Sequence, residues 1–279
     1  MAHSPFEHVQ DGKEWVIFEW LKVPMPPPIH IPLYGDFQIT RFMLLEAIAA
    51  VLLIAIFVPL ARRASAGGLP RGPFWNAFEG LLTFVRDEIA KPNLGEHDTD
   101  RFVPFLWTLF LFILFLNLLG LLPLGFGSPT ASIWVTGALA VVAFAMLHVP
   151  AIVKMGPIHY LKSLWPHIEI GESWFARIVG FDISLGIFVI ELAGTVIKSG
   201  VLAIRLFANM FAGHTVLAVI LGFILLAAGN FVVWAPVTAA SVIAVAALSL
   251  LELFVAFLQA YIFVFLTALF MGMSLHPAH

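Results

Sequence analysis

From residue 42 onward the chain alternates long apolar runs with short polar intervals. Residues 42–61 form the first run, close to the roughly 20 residues a helix needs to cross a bilayer, and Arg62 and Arg63 close it. Residues 102–122 and 131–150 form two more, separated by a short turn around 125–129. Between the first and second runs, Phe74, Ala77, Phe78, Leu81, Leu82, Val85 and Ile89 fall on one helical stripe, opposed by Glu79, Arg86, Asp87 and Lys91. That pattern predicts an amphipathic helix over 73–91, suited to lie on a membrane surface.

A polar loop, 151–181, carries Pro157 and Pro166. Beyond it lie two much longer apolar segments, 182–228 and 235–275, divided by Gly229-Asn230 and Pro236. A helix over the first would reach roughly 70 Å at 1.5 Å per residue, against a hydrocarbon core of about 30 Å. No proline interrupts 182–228, and a turn without Pro, Asn or Gly clusters is poorly supported. The segments are therefore expected to be two long, strongly tilted helices. The fold class expected is an all-α polytopic membrane protein with five transmembrane helices and one amphipathic surface helix.

Composition agrees. Of the residues, 61% are hydrophobic and only 11% charged, with a mean hydropathy of +1.00, where a soluble domain averages about 25% charged. There is no cysteine, which excludes disulfides, thiolate metal sites and cysteine nucleophiles. Residues 1–40 are rich in proline and lack the basic-then-apolar start of a secretory signal. They read as an extended arm with one short helix around 14–22, so that internal spans direct insertion. The loops 62–101 and 151–181 hold Arg62, Arg63, Arg71, Arg86, Lys91, Arg101, Lys154, Lys162 and Arg177, whereas 123–130 and 229–235 hold no basic residue. The positive-inside rule then puts the first pair of loops and the C-terminus in the cytoplasm, and the N-terminal arm outside.

Polar residues inside the last two segments are the candidates for chemistry. Arg205 cannot shed its charge, and at a bilayer centre it costs on the order of 3 kcal/mol. Glu191, Lys198 and Arg205 recur at intervals of seven, which drift only about 20° per step, so they share one face. Asn209 stays near that face, whereas His214 falls on the opposite side. On the final segment Glu252 and Gln259 are likewise seven apart. Antiparallel helices bring together positions of nearly constant index sum: Arg205 with Gln259 gives 464, and His214 with Glu252 gives 466. Two polar layers result, one near mid-membrane and one nearer the outer surface.

Plainer roles exist for each residue. Arg205 could neutralise an acid of its own chain, His214 and Glu252 could be a static pair, and Gln259 could be interhelical glue. Lys198 and Glu191 could snorkel toward the cytoplasmic end. Asn117 and Gly120, in Asn117-Leu-Leu-Gly-Leu-Leu-Pro123, read as structural, with Gly120 permitting close helix approach. Glu46, His148 and His30 read as structural or interfacial. Hydrolase, zinc-protease and phosphate-loop motifs are missing from the sequence.

With Arg205-Leu-Phe-Ala-Asn209-Met-Phe-Ala-Gly-His214, Asn117-Leu-Leu-Gly-Leu-Leu-Pro123 and Leu258-Gln259-Ala-Tyr-Ile-Phe in that relation, the chain resembles subunit a of the membrane sector of F-type ATP synthases from about residue 42 to 275. The resemblance implies a non-catalytic subunit of a bacterial inner-membrane complex, with no cofactor. Its implied partners are a rotating ring of c subunits and a b-subunit peripheral stalk. It further implies that Arg205 faces the ion-carrying carboxylate of each passing c subunit, between two half-channels. Asn209, His214, Glu252 and Gln259 would belong to the outer half-channel and Glu191 to the cytoplasmic one, with Lys198 nearby. Some bacterial members carry the acid and the histidine in exchanged places; here histidine is on the earlier helix. Residues 167–181 depart from the family pattern, and Ser199-Gly200 stands where a proline is expected after Lys198. The competing class, an autonomous channel or secondary transporter, predicts internal repeats, and no convincing repeat is found.

Overall fold

The computed structural model describes the backbone of residues 14–18, 21–24, 29–31, 35–37, 39–65, 72–122, 127–158, 160 and 174–275. Side chains are described from residue 39 onward, apart from 63–65, 174–182 and 192. The loop 161–173 and most of the N-terminal arm therefore lie outside the described residues.

In the arm, two antiparallel hairpins pair β1 (Glu14–Phe18) with β2 (Leu21–Pro24) and β3 (Ile29–Ile31) with β4 (Gly35–Phe37). The helix expected around 14–22 is thus replaced by strands, with Trp15 opposite Val23 and Val16 opposite Lys22. The reason is local: Trp15-Val-Ile-Phe18 is a β-branched and aromatic run, which favours a pleated strand over a helix.

Among the described residues six α-helices follow: α1 (Arg41–Ser65), α2 (Pro73–Phe84), α3 (Lys91–Leu121), α4 (Ile133–Met155), α5 (Trp174–Ala227) and α6 (Phe231–Leu275). Five helical stretches among the described residues are long and apolar enough to cross a membrane. The last two are unbroken over 54 and 45 residues, as the lack of internal turn signals predicts. Helix α5 begins eight residues before the expected 182, and α4 continues through Pro150 to Met155, so the 151–181 connection is shorter than expected.

The surface helix and second span also differ from expectation. A ten-residue link over 92–101 is absent; α2 passes through a π-helical turn, Val85–Ala90, directly into α3. The change of direction is concentrated at Gly95, whose φ of 74° and ψ of 167° are non-helical. Glycine reaches positive φ without steric cost, so one residue suffices as a hinge. Pro92, just upstream, has no backbone N–H to donate back into the π-helical turn, so the helical ladder is already weakened before the bend. Only the far end of the apolar stripe turns inward: Val85 and Ile89 are buried, Phe78, Leu81 and Leu82 are half-buried, and Phe74 and Ala77 are exposed. On the opposing face Glu79, Arg86 and Lys91 are exposed and Asp87 is half-buried. Trp107 Nε1 donates to Leu82 O at 2.7 Å, fastening this segment to α3.

The core lies between α3 and α6 and is closed by the π-helical turn. Val85, Ile89, Leu94, Leu106, Phe110, Phe263, Val264, Met271 and Leu275 meet there. Helices α4 and α5 pack on its flank and α1 on α3. Polar ties add direction: Lys154 Nζ reaches Asp98 at 3.1 Å, joining the end of α4 to the start of α3. Arg86 reaches Asp100 at 2.7 Å. Among lipid tails there is little hydrophobic gain in burying one apolar helix against another, so close packing and hydrogen bonds must hold these helices together.

Close packing is tightest where α6 crosses the start of α3. A Cβ added to Gly272 would overlap the backbone carbonyl of Asn93. Gly272→Ala should therefore cost about 1–3 kcal/mol through overpacking, read as a lowered denaturation midpoint of the detergent-solubilised complex. Gly137→Ala on α4, where an added Cβ meets nothing within 4 Å, should be neutral or slightly stabilising. Equal losses at both positions would contradict this crossing.

Candidate functional site

Helices α5 and α6 run antiparallel through the membrane domain, and their facing residues set the site. Gln259 Nε2 donates to the Arg205 backbone carbonyl at 3.2 Å, a pair whose numbers sum to 464. Gln259 is 3% exposed, so its amide is held in the interface. The glutamine thus engages the arginine's main chain and leaves the guanidinium to other groups. Arg205 itself is half-buried, and among the described residues no carboxylate lies within ion-pair distance of it.

Seven residues toward the connecting turn, Glu252 is buried at 7% exposure. Its carboxylate packs on the backbone of Gly213, where an added Cβ would overlap Oε1. Those numbers sum to 465, one less than the expected His214–Glu252 pairing. Among the described residues the two side chains form no ion pair. Among the described residues neither oxygen of Glu252 has a hydrogen-bond partner, and His214 Nε2 is also buried and unpartnered. The expected contact pair is therefore corrected to two neighbouring groups. One helical step turns His214 about 100° from Gly213, away from the position that receives Glu252. A buried carboxylate without a hydrogen bond is costly, so stability alone gives no reason for an acid here.

Glu191 and Lys198 are exposed on α5, as is Asn209. Lys198 Nζ lies 5.2 Å from the Phe270 ring centroid, a cation–π arrangement that anchors its stem to α6. The step of seven holds their aliphatic neighbours too: Ile190, Ile197 and Ile204 are 71%, 61% and 59% exposed, forming an outward greasy stripe beside the polar one. The helix is unbroken through Ser199-Gly200.

Asn117 is fully buried and satisfied. It donates to Ala256 O at 3.3 Å and accepts from Thr130 Oγ1 at 2.7 Å, while Ser128 and Thr130 hydroxyls lie 2.6 Å apart. This network clamps the turn between α3 and α4 onto α6, one helical turn from Glu252. Gly120 does allow a close approach, but of this turn: its Cβ would overlap Ser128. His148, expected to be structural, bonds Tyr160 through Nδ1. Tyr160 was given no role by the sequence reading, because a lone tyrosine in a polar loop carries no periodic signal. His30 lies on β3, opposite Asp36 in the hairpin register, and Glu46 is engaged within the chain. Among the described residues no group of three or more His, Asp or Glu could hold a metal ion.

A family model described as "ATP synthase A chain" matches residues 43–272. The chain belongs to that family. It is 40% identical over 245 residues to "ATP synthase subunit a" of Myxococcus xanthus (strain DK1622), covering 88% of this chain and 75% of the relative. It is 36% identical over 271 residues to "ATP synthase subunit a 2" of Chlorobaculum tepidum, covering 96% and 71%. With "ATP synthase subunit a" of Anaeromyxobacter dehalogenans (strain 2CP-C) the identity is 39% over 242 residues, covering 86% of this chain and 58% of that longer relative. Family membership makes this a multi-pass membrane protein and a non-catalytic, proton-translocating subunit of the ATP synthase membrane sector.

Gly213→Ala should displace the Glu252 carboxylate and lower proton conduction through the assembled membrane sector. Adding Glu252→Asp, one methylene shorter, should recover part of the loss. Conduction that is no better in the double variant than in Gly213→Ala alone would show that the added methyl acts elsewhere.

Proposed function

We propose that this ATP synthase subunit provides two aqueous half-channels that approach Arg205 from opposite sides of the membrane and do not meet, with Arg205 facing the carboxylate of each c subunit in a rotating ring. The observation that carries this reading is the unmatched guanidinium. Arg205 is half-buried in a long apolar helix, and among the described residues no acid lies within ion-pair distance. Glu191, on the same face, is about 21 Å away along the helix by rise per residue, and Gln259 is neutral. A partner chain supplies the counter-charge intermittently.

The physical cycle follows from that geometry. A protonated ring carboxylate is neutral and can travel through lipid. Near Arg205 the fixed positive charge strengthens the acid by about tenfold to a thousandfold, so its proton leaves through one half-channel. The carboxylate then passes the arginine and takes a proton from the other side. The same charge repels a proton that would cross directly. Proton-motive force biases the sense of rotation.

Glu252, His214, Asn209 and Gln259 belong to the outer half-channel in this reading. Support comes from the buried Glu252 and the half-buried His214, whose Nε2 is itself buried; both have open hydrogen-bonding capacity among the described residues, at one level of the α5–α6 interface. Glu191 belongs to the cytoplasmic half-channel, with Lys198 between it and Arg205. The basic loops put the C-terminus and the π-helical turn on the cytoplasmic side and the N-terminal arm outside. The partners are the c-subunit ring, the b-subunit peripheral stalk and lipid, in a bacterial inner membrane.

Arg205→Ala should abolish ATP-driven proton pumping in membrane vesicles while the complex still assembles; pumping at the normal rate would sink the assignment. Glu252→Gln should slow pumping without preventing assembly, and unchanged flux would reduce Glu252 to packing. Mild-detergent purification should carry a ring of small c subunits with this chain, whereas ion transport by the chain alone would favour an autonomous channel.

A further inference from the structure

At the end of the α5–α6 pair opposite Glu252, polar side chains converge from four segments. His148 is on α4, Tyr160 lies five residues beyond that helix, Glu191 is on α5, and Ser274 is on α6. His148 Nδ1 and the Tyr160 hydroxyl are hydrogen-bonded. Tyr160 is only 8% exposed although it lies outside the spans. Its hydroxyl is also engaged by the Ser274 side chain and lies in the field of the Glu191 carboxylate. Glu191 and Ser274 sum to 465, so the same helix register that seats Glu252 on Gly213 gathers this cluster. Phe144 packs edge-on against the His148 ring with centroids 4.2 Å apart, fixing its plane.

One atom in this arrangement stands out. His148 Nε2 is buried and, among the described residues, has no hydrogen-bond partner. A histidine kept only to pin a tyrosine needs one nitrogen, and burying the other unsatisfied is a cost without a return. A histidine that takes a proton at one nitrogen and passes one from the other needs both.

We propose that His148 and Tyr160 are proton-relay residues of the cytoplasmic half-channel, with Ser274 beside the Tyr160 hydroxyl and Glu191 as the acid toward which the relay leads. The inference rests on the half-channel reading above and adds residues from outside α5. In each transfer a proton arrives at His148 Nε2 as another leaves Nδ1 for the Tyr160 oxygen. Tyr160 in turn gives its own proton to the Ser274 oxygen, and Ser274 gives its own toward Glu191. One proton enters and one leaves, each hydroxyl ends neutral, and the imidazole ends in its other tautomer and must reset. Burial first, and then the Glu191 charge, push the Tyr160 hydroxyl above its ordinary range, with the Ser274 bond opposing. Tyr160 therefore keeps a proton at neutral pH and passes protons without storing charge.

The test uses membrane vesicles carrying the full complex, stripped of the soluble sector, with passive proton conduction normalised to the amount of assembled ring. Tyr160→Phe should lower conduction by about tenfold or more. His148→Asn keeps a hydrogen-bonding partner for the tyrosine but cannot cycle a proton, and it should conduct as poorly as His148→Leu. Full conduction in His148→Asn, or a loss in Tyr160→Phe that vanishes after normalisation to assembled complex, would overturn the relay and leave a structural pin. Glu191→Gln reports on the half-channel itself. Normal conduction there would remove the underlying reading, while blocked conduction with normal Tyr160→Phe and His148→Asn would remove this inference alone.

Discussion

The antiparallel register of α5 against α6 is the constraint on which the rest depends. Positions whose numbers sum to about 465 face one another across the whole interface. Glu252 meets Gly213, the Gln259 amide meets the Arg205 carbonyl, and Ser274 comes to the level of Glu191. A shift of one helical turn would move Glu252 off the only residue type without a side chain to displace. It would also leave the buried Gln259 amide to find another acceptor. A register can be held this firmly because both helices are uninterrupted: no loop along their length can absorb a slip.

That pair is itself braced from behind. Core packing between α3 and α6 is close enough that Gly272 touches the main chain of α3, and Asn117 holds Ala256 from the other end of α3. The two fixtures lie 16 residues apart on α6, one at mid-helix and one near its C-terminal end, so the helix is located at two heights. Between them sits Gln259. Gln259 and Glu252 therefore stand on a helix whose axial position is set by neighbours, while among the described residues the outer face of α5 is left uncovered.

Much of this was legible in the residues. Five apolar runs, the two long helices and the facing levels all follow from span length, missing turn signals and antiparallel arithmetic. Other features depend on information that periodicity does not contain. Gly95 redirects the chain in one residue, and nothing in the apolar pattern distinguishes that from a ten-residue connection. The strands at 14–24 went unseen because a short run such as Trp15-Val-Ile-Phe18 fits two periods. Index sums locate a level on a helix and leave a 100° ambiguity about which neighbour is met, hence Glu252 on Gly213 and not on His214. Tyr160 could be found only once the chain beyond α4 was folded back.

The row of isoleucines at 190, 197 and 204 has a mechanical consequence. These short branched side chains recur about every 10.5 Å along α5 and project beside the charges without large knobs between them. A rotor sliding across such a rail would find no deep notch to interlock with. Its friction would be set by shallow, nearly uniform dispersion contacts. On the proposed reading, bearing and charge site would occupy adjacent stripes of a single helix, so that a rotor would be guided and discharged by the same surface without stopping.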